Sequence, residues 1–267
     1  MASKSKIEWT EHTWNPVTGC TKISAGCKYC YAEVLAKRLQ RMGTKGYEGG
    51  FALTLQPERL TYPIKRKKPT VWFVNSMSDL FHDKVPFEYI DAVFETIHAT
   101  PHHRYQVLTK RPDRMARYFR QRSVPSNTWL GTSIENKRHG MPRISKLVEI
   151  DAQIRFLSIE PLLEDVGSID LAGISWVIVG GESGPKARPM RIEWVRSIRE
   201  QCSEAGTSFF FKQWGSHGAD GVYRAKRSNG RVLDGKIYDY MPVERQNGDE
   251  EALQLEAGRS LTRTRTA

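Results

Sequence analysis

Residues 176–181 read Trp-Val-Ile-Val-Gly-Gly. The first four are continuous, apolar and largely β-branched, and the glycine pair closes the run. A short apolar run bounded by a turn signal reads as a strand covered on both faces, as strands of a parallel sheet are. Working outward, the same kind of segment recurs at Val71–Val74, 105–108, 129–131, Ile154–Ile159 and 209–211. Helical patterns lie between these runs. After Pro86, the residues Ile90, Val93, Phe94 and Ile97 fall at i, i+3, i+4 and i+7, one face of a helix. Pro112 stands where a helix can begin, at its first position. A helical stretch after residue 131 is expected to break at Gly140 and Pro142. Residues 191–205 place Ile192, Val195, Ile198 and Cys202 on one face. Strands alternating with helices predict an α/β fold with a parallel sheet. A closed eight-unit barrel takes about 250 residues. The repeat here spans only residues 14–212, which predicts a partial (βα)6–7 TIM-like barrel, with a flat doubly wound sheet as the alternative.

Two segments stand outside this rhythm. Residues 43–70 are glycine-rich and then basic, and read as an insertion within a barrel spanning 1–213. Residues 214–243 read as an extension packed on the barrel, and 244–267, polar and charged, as a disordered tail. The chain has 267 residues, 39% of them hydrophobic, which is enough for a core. No apolar run is long enough for a membrane helix, and the N-terminus has no signal-peptide pattern. The expected setting is therefore the cytoplasm, with no membrane partner. The formal net charge is +11, which makes a polyanion such as DNA, RNA or a nucleotide a natural partner. Lys65 to Lys68, with Tyr62 and Trp72 nearby, mix cations and aromatics as nucleic-acid surfaces do.

The four cysteines divide unevenly. Cys20, Cys27 and Cys30 crowd together, and Cys202 stands alone on a helix face. Structural zinc takes four protein ligands, and His12 could be the fourth, which keeps a non-catalytic zinc- or cluster-stabilised nucleic-acid-binding protein as the alternative to an enzyme. A redox Cys-x2-Cys pair leaves Cys20 unexplained. A [4Fe–4S] cluster held by three cysteines keeps one iron open to an outside ligand. A helix beginning at Cys30, with Tyr31, Val34, Leu35, Leu39 and Met42 along one face, would set its positive end against thiolates.

The stretch TWNPVTGCTKISAGCKYCYAE, residues 13–33, resembles the cluster loop of a three-cysteine phage and bacterial protein family related to radical S-adenosylmethionine (SAM) enzymes. VNSMSDLFHD, LTKRPDR, SIEPLLEDV, VIVGGESG, FFFKQWG and NGRVLDGKIYDYMP also look like that family, so the likeness covers about residues 7–243. It is more distantly similar to spore photoproduct lyase-like enzymes. The common radical SAM spacing is Cys-x3-Cys-x2-Cys, whereas six residues separate Cys20 from Cys27 here. The resemblance implies a barrel of the radical SAM type and a [4Fe–4S] cluster on Cys20, Cys27 and Cys30. It implies SAM as cofactor, an electron donor, and a bacterial cell with the gene carried by the cell, a phage or a prophage. In such enzymes one electron cleaves SAM, and the radical released abstracts hydrogen from the substrate. The implied cofactor contacts are Tyr29 beside the last cysteine, and polar groups at successive strand ends. These are Asn75, Ser76, Ser78 and Asp79; Lys110, next to Thr109; Ser133 and Glu135; Glu160, next to Ser158; and Gly180, Gly181 and Glu182. Arg188 and Arg191 are candidates for phosphate, with helix caps as the plain alternative. His102 and His103 read as structural.

Overall fold

The computed structural model describes residues 3–243. In chain order the strands and helices are β1 (Ser3–Lys4), β2 (His12–Trp14), β3 (Val17–Thr18), α1 (Tyr31–Arg41), β4 (Thr54–Leu55), β5 (Val71–Val74), α2 (Phe87–His98), β6 (Arg104–Thr109), α3 (Pro112–Phe119), β7 (Thr128–Ser133), α4 (Lys137–Val148), β8 (Ile154–Ile159), β9 (Trp176–Gly180), α5 (Ile192–Glu204), β10 (Ser208–Gln213) and α6 (Lys226–Asn229). The main sheet runs β1-β2-β5-β6-β7-β8-β9-β10. From β2 onward every pairing is parallel. β1 pairs antiparallel with β2 at the edge. Seven parallel strands in sequential order form an open half-barrel. A doubly wound sheet would reverse direction at a switch point, and this order has no reversal. The partial barrel expected from the sequence is therefore the fold.

The two faces of the sheet pack differently. The outer face meets the helices in one large, mainly aliphatic core that includes Val74, Val107, Leu130, Leu157 and Val179 with Ile90, Ile97, Ile144, Leu147, Val195 and Ile198. The concave face holds a separate aromatic cluster of Trp9, Phe73, Trp129, Phe156, Trp176 and Phe210. Period-2 alternation along each strand sends neighbours to opposite faces, which explains the division. The segment before β2 crosses this concavity. The Trp9 ring lies 4.7 Å from that of Phe73, and its carbonyl accepts from Gln106 Nε2 at 3.1 Å. Gly131 is bare because an added Cβ would stand 2.5 Å from the Phe156 ring.

One sequence expectation needs adjustment, and the structure adds detail to three others. α4 runs unbroken through Gly140 and Pro142. Asn136 caps it by accepting from His139 N at 3.0 Å, and Gly140 lies so close to Ile134 that its missing side chain aids packing. The apolar residues of α1 do not face the core. Tyr31 is 58% and Val34 is 68% exposed, Leu35 and Met42 are exposed too, and the buried side is Ala32 and Ala36 against Tyr47 and Met77. The insertion at 43–70 contributes β4, which pairs antiparallel with β3, and it buries Gln56 and Arg59. Its basic run, Lys65 to Lys68, enters β5 from the N-terminal end, opposite the end where the strand-terminal polar groups gather. Residues 244–267 lie outside the described residues. Between 214 and 243 the chain folds back onto β10 and β9: Phe211 N donates to Tyr238 O, Trp176 Nε1 to Tyr240 O and Trp214 Nε1 to Val232 O.

Candidate functional site

A cleft of about 390 Å3 opens at the C-terminal ends of the strands. That volume lies in the range of small-molecule sites. Cys20, Cys27 and Cys30 line it together with Tyr29, Asn75, Ser76, Ser78, Asp79, Lys110, Ser133, Glu160, Gly181 and Glu182. The structure thus gathers most of the sequence-expected residues around one space. Glu135 and Gly180 stand just behind its surface, each packed against a lining residue or the cysteine loop. His12 is elsewhere: its ring lies 5.2 Å from that of Trp72, away from the cleft.

The cysteine loop is held by buried charges. Gly19, with φ of +77°, bridges to Ser78 beside the end of β5, and an added Cβ would stand 2.1 Å from Ala52 O. Only glycine fits that turn and that approach. Farther along, Ser24 Oγ donates to Glu135 Oε1 at 2.7 Å. Glu135 is buried and also accepts from Lys110 Nζ and, at 2.9 Å, from Arg143 NH1. Burial raises its pKa, yet Lys110 and Arg143 outweigh burial and hold the carboxyl below the ordinary range. Gly26 lies against the Glu135 side chain, where an added Cβ would stand 2.5 Å from Cγ. Beyond it, Arg188 NH2 donates to Ala25 O at 3.1 Å while the guanidinium pairs with Glu182 at 2.5–2.8 Å and the Arg188 backbone N donates to the same carboxylate at 2.9 Å. Arg188 thus acts as a strut between the β9 loop and the cysteines rather than as a free cation.

Asp79 and Arg111 anchor the other end. Asp79 accepts from Phe81 N, Thr109 Oγ1, Lys110 N and Arg111 NH1 at 2.7–3.1 Å. Its carboxylate thereby shapes the turn after β6 and aims Arg111. That guanidinium reaches Thr21 O at 3.3 Å and lies 3.8 Å from Cys20 Sγ. His82 closes the circuit through Thr21 Oγ1 at 2.9 Å. Its Nδ1 accepts from Lys84 N, which leaves the proton on Nε2, and burial, then Arg111, push its pKa down. Burial, then the Asp79 carboxylate, push the Cys20 thiol up to about 11. At Cys27 burial also raises the pKa, but Lys110 and hydrogen bonds from Ile23 and Ser24 hold the thiol below its ordinary value. Asn75, with φ of +59°, is buried; its Oδ1 accepts from Val17 N at 3.3 Å, which leaves Nδ2 without a partner.

Several residues that build the site escaped the sequence reading. Arg111 sits inside the quoted LTKRPDR, but a cation one residue past Lys110 has no separate signature. Arg143 is on a helix face and meets Glu135 only through folding. Trp9, Lys212 and Gln213 line the cleft from the N-terminal segment and the last strand. Lys212 Nζ lies 3.1 Å from Glu160, and Gly180 has no side chain because a Cβ there would stand 2.3 Å from Glu160 Oε1.

The chemistry of the donor set fits an iron–sulfur cluster. All three thiols are free and half-buried and come from one loop, with Arg111 beside Cys20 and Lys110 near Cys27. Among the described residues no three His, Cys, Asp or Glu side chains converge as the ligands of a single ion would. In a [4Fe–4S] cube each cysteine binds a different iron, so its ligands are spread around the cluster instead. Among the described residues no helix is long and apolar enough to cross a membrane.

Solved structures of spore photoproduct lyase resemble the chain over 96% of its length and 74% of theirs. A cysteine-to-alanine variant with dinucleoside spore photoproduct shares 16% identity at a TM-score of 0.45. A double variant with bound AdoMet and the same dinucleoside shares 14% at 0.42. No curated protein matches the chain. A family model described as a protein of unknown function, DUF5131, matches residues 4–242, and the chain belongs to that family.

Proposed function

We propose that the protein is a radical SAM-type [4Fe–4S] enzyme that modifies or repairs a nucleic acid or nucleotide. The observation that carries this reading is the placement of Cys20, Cys27 and Cys30 on one wall of a cleft at the strand C-terminal ends. Barrel enzymes generally hold their sites at that end. When bound, the cluster supplies the one-electron reduction of SAM, and the protein's part is to bind, orient and exclude. Arg111 and Lys110 offset the negative charge of a thiolate-bound cluster, while Asp79 and Glu135 fix both cations in place. Asn75 Nδ2 and the hydroxyls of Ser76, Ser78 and Ser133 border the space beside the cysteines, where SAM would lie. Tyr29 and Glu182 meet on Arg188, which closes the loop over that space. The +11 charge suits a polyanionic substrate.

Iron and sulfide assays after anaerobic reconstitution test the first half. The expected result is near four irons and four sulfides per chain. Stoichiometric zinc without broad visible absorbance would refute it. Dithionite with SAM is then expected to yield 5′-deoxyadenosine. Cluster formation without that product would leave a cluster protein that does no radical chemistry.

A further inference from the structure

The wall opposite the cysteine loop carries polar groups that the fold leaves unused. Gln213 ends β10 and is buried. Its Nε2 donates to Gly181 O and to Ser183 Oγ, both at 3.2 Å. A carbonyl oxygen accepts and cannot donate, so Gly181 fixes which end of the amide faces it. Oε1 is therefore the end left over, and it is buried without a partner. Trp9 Nε1 is a second buried polar atom without a partner, on a residue that also lines the cleft. Native interiors rarely leave such groups unsatisfied, and a ligand is one standard reason when they do.

The surroundings define the ligand. Lys212 Nζ lies 3.1 Å from both oxygens of Glu160, and the pair is only 17% and 14% exposed. The Trp9 and Phe73 rings supply an apolar surface, with Ile7 and Leu108 beside them. At the edge stand the exposed Lys6 and the half-buried Lys226, the latter 3.2 Å from Glu8. Aromatic surface below and hydrogen-bonding groups at the side suit a flat heterocycle with apolar faces and polar edges. Cations at the mouth suit a phosphate attached to it. Gln213 Oε1 calls for an N–H or O–H, so a carboxylate or phosphate oxygen is unsuited to that spot.

We propose that this wall binds the nucleobase of the substrate. A turn of the Gln213 amide, held by two bonds of 3.2 Å, uncovers Oε1 to accept from an N–H on the base edge, Lys212 donates to a ring acceptor, and Trp9 and Phe73 cover one face. This deepens the reading above and rests on it for the substrate being a nucleic acid or nucleotide. SAM also carries a base. The cysteine loop, however, docks mainly on the ends of β5, β6 and β7 through Ser78, Arg111 and Glu135, with the Arg188 strut as its one tie to the β9 loop. That leaves the β8–β10 side for a second molecule.

Titration calorimetry with the reconstituted protein tests the proposal. The probes are the 2′-deoxynucleoside monophosphates, 2′-deoxyribose 5-phosphate and SAM. At least one nucleotide is expected to bind about tenfold tighter than the baseless sugar phosphate. Methylating the edge N–H of that nucleotide's base should remove the advantage with the wild-type protein. Gln213→Leu should remove it as well, while iron, sulfide and SAM binding stay the same. Equal binding of nucleotides and sugar phosphate would overturn the proposal. So would a Gln213→Leu effect confined to SAM, which would assign Gln213 to the cofactor's adenine. If iron and sulfide fail to load but base binding holds, the cluster reading falls and this one stands.

Discussion

On the cysteine wall of the cleft, Glu135 accepts from Ser24, Lys110 and Arg143, and Asp79 accepts from four groups. On the facing wall, Glu160 meets only Lys212 among the described residues, and Gln213 keeps an oxygen that meets nothing. The same residue types do different work on the two sides. Saturated carboxylates act as fasteners, since each added donor fixes the loop more tightly and leaves less for a ligand. A carboxylate with one partner keeps bonding positions that a ligand can fill. The contrast teaches that burial and charge do not by themselves identify binding residues; the count of unfilled bonding positions does.

The strongest way to break the comparison is at the cysteines. Replacing Cys20, Cys27 or Cys30 by Ala is expected to abolish iron binding and SAM cleavage. Far-ultraviolet circular dichroism should stay unchanged, because all three thiols are half-buried and unbonded to one another. Cys202→Ala is the control. Its thiol is buried in the helix core of α5, so iron content should hold while stability falls by about 1 kcal/mol. Iron retained in any of the three loop variants would refute the assignment.

Next in size is the fastener itself. Glu135→Gln leaves Lys110 and the buried Arg143 without their counter-charge, and breaking such a pair costs about 3 kcal/mol. The effect should depend on pH. A carboxyl held below its ordinary value stabilises the fold fully above that value, about 4.3, and the contribution is lost as pH falls through the folded one. Urea midpoints of wild type and variant should therefore differ at neutral pH and converge in acid. A gap that persists unchanged in acid would show that the charge of Glu135 is not what holds the loop.

A third variant tests the floor shared by both walls. Gly131→Ala would drive a methyl into the Phe156 ring, which is wedged between Trp9 at 6.4 Å and Trp176 at 5.6 Å. Overpacking of this kind costs about 1–3 kcal/mol. Thermal melts should show the loss, and an unchanged melting temperature would mean that the aromatic cluster can give way.

How much of this was readable beforehand differs between the walls as well. The half-barrel was legible because Trp176 to Val179 and its fellow strands are continuous apolar runs, and alternation with helices leaves few topologies. The cysteine wall was legible because its ligands lie within one short stretch. The facing wall was not, because Trp9, Lys212 and Gln213 come from opposite ends of the chain and meet only in the folded sheet. The packed side of α1 was not legible for a related reason: it is made of Ala32 and Ala36, and alanines carry little hydrophobic weight in a pattern. Pro142 misled because a cap at Asn136 and packing at Gly140 hold a helix that local propensity disfavours.

The smallest expected effect on stability sharpens the contrast most. Gly180→Ala would place a methyl 2.3 Å from Glu160 Oε1, the far end of a flexible side chain. The backbone of Gly180 is not left-handed, so alanine is allowed there, and the stiffer unfolded chain returns about 0.4–1 kcal/mol. The two terms oppose each other, and the melting temperature should move by no more than a few degrees. The Glu160 carboxylate must nevertheless swing aside, taking Lys212 out of register with Gln213. Nucleotide affinity should fall severalfold while iron content stays at the wild-type level. A variant that melts early but binds nucleotide normally would show the Glu160–Lys212 pair to be a fastener too, and the two walls would then differ only in how many bonds each carboxylate makes.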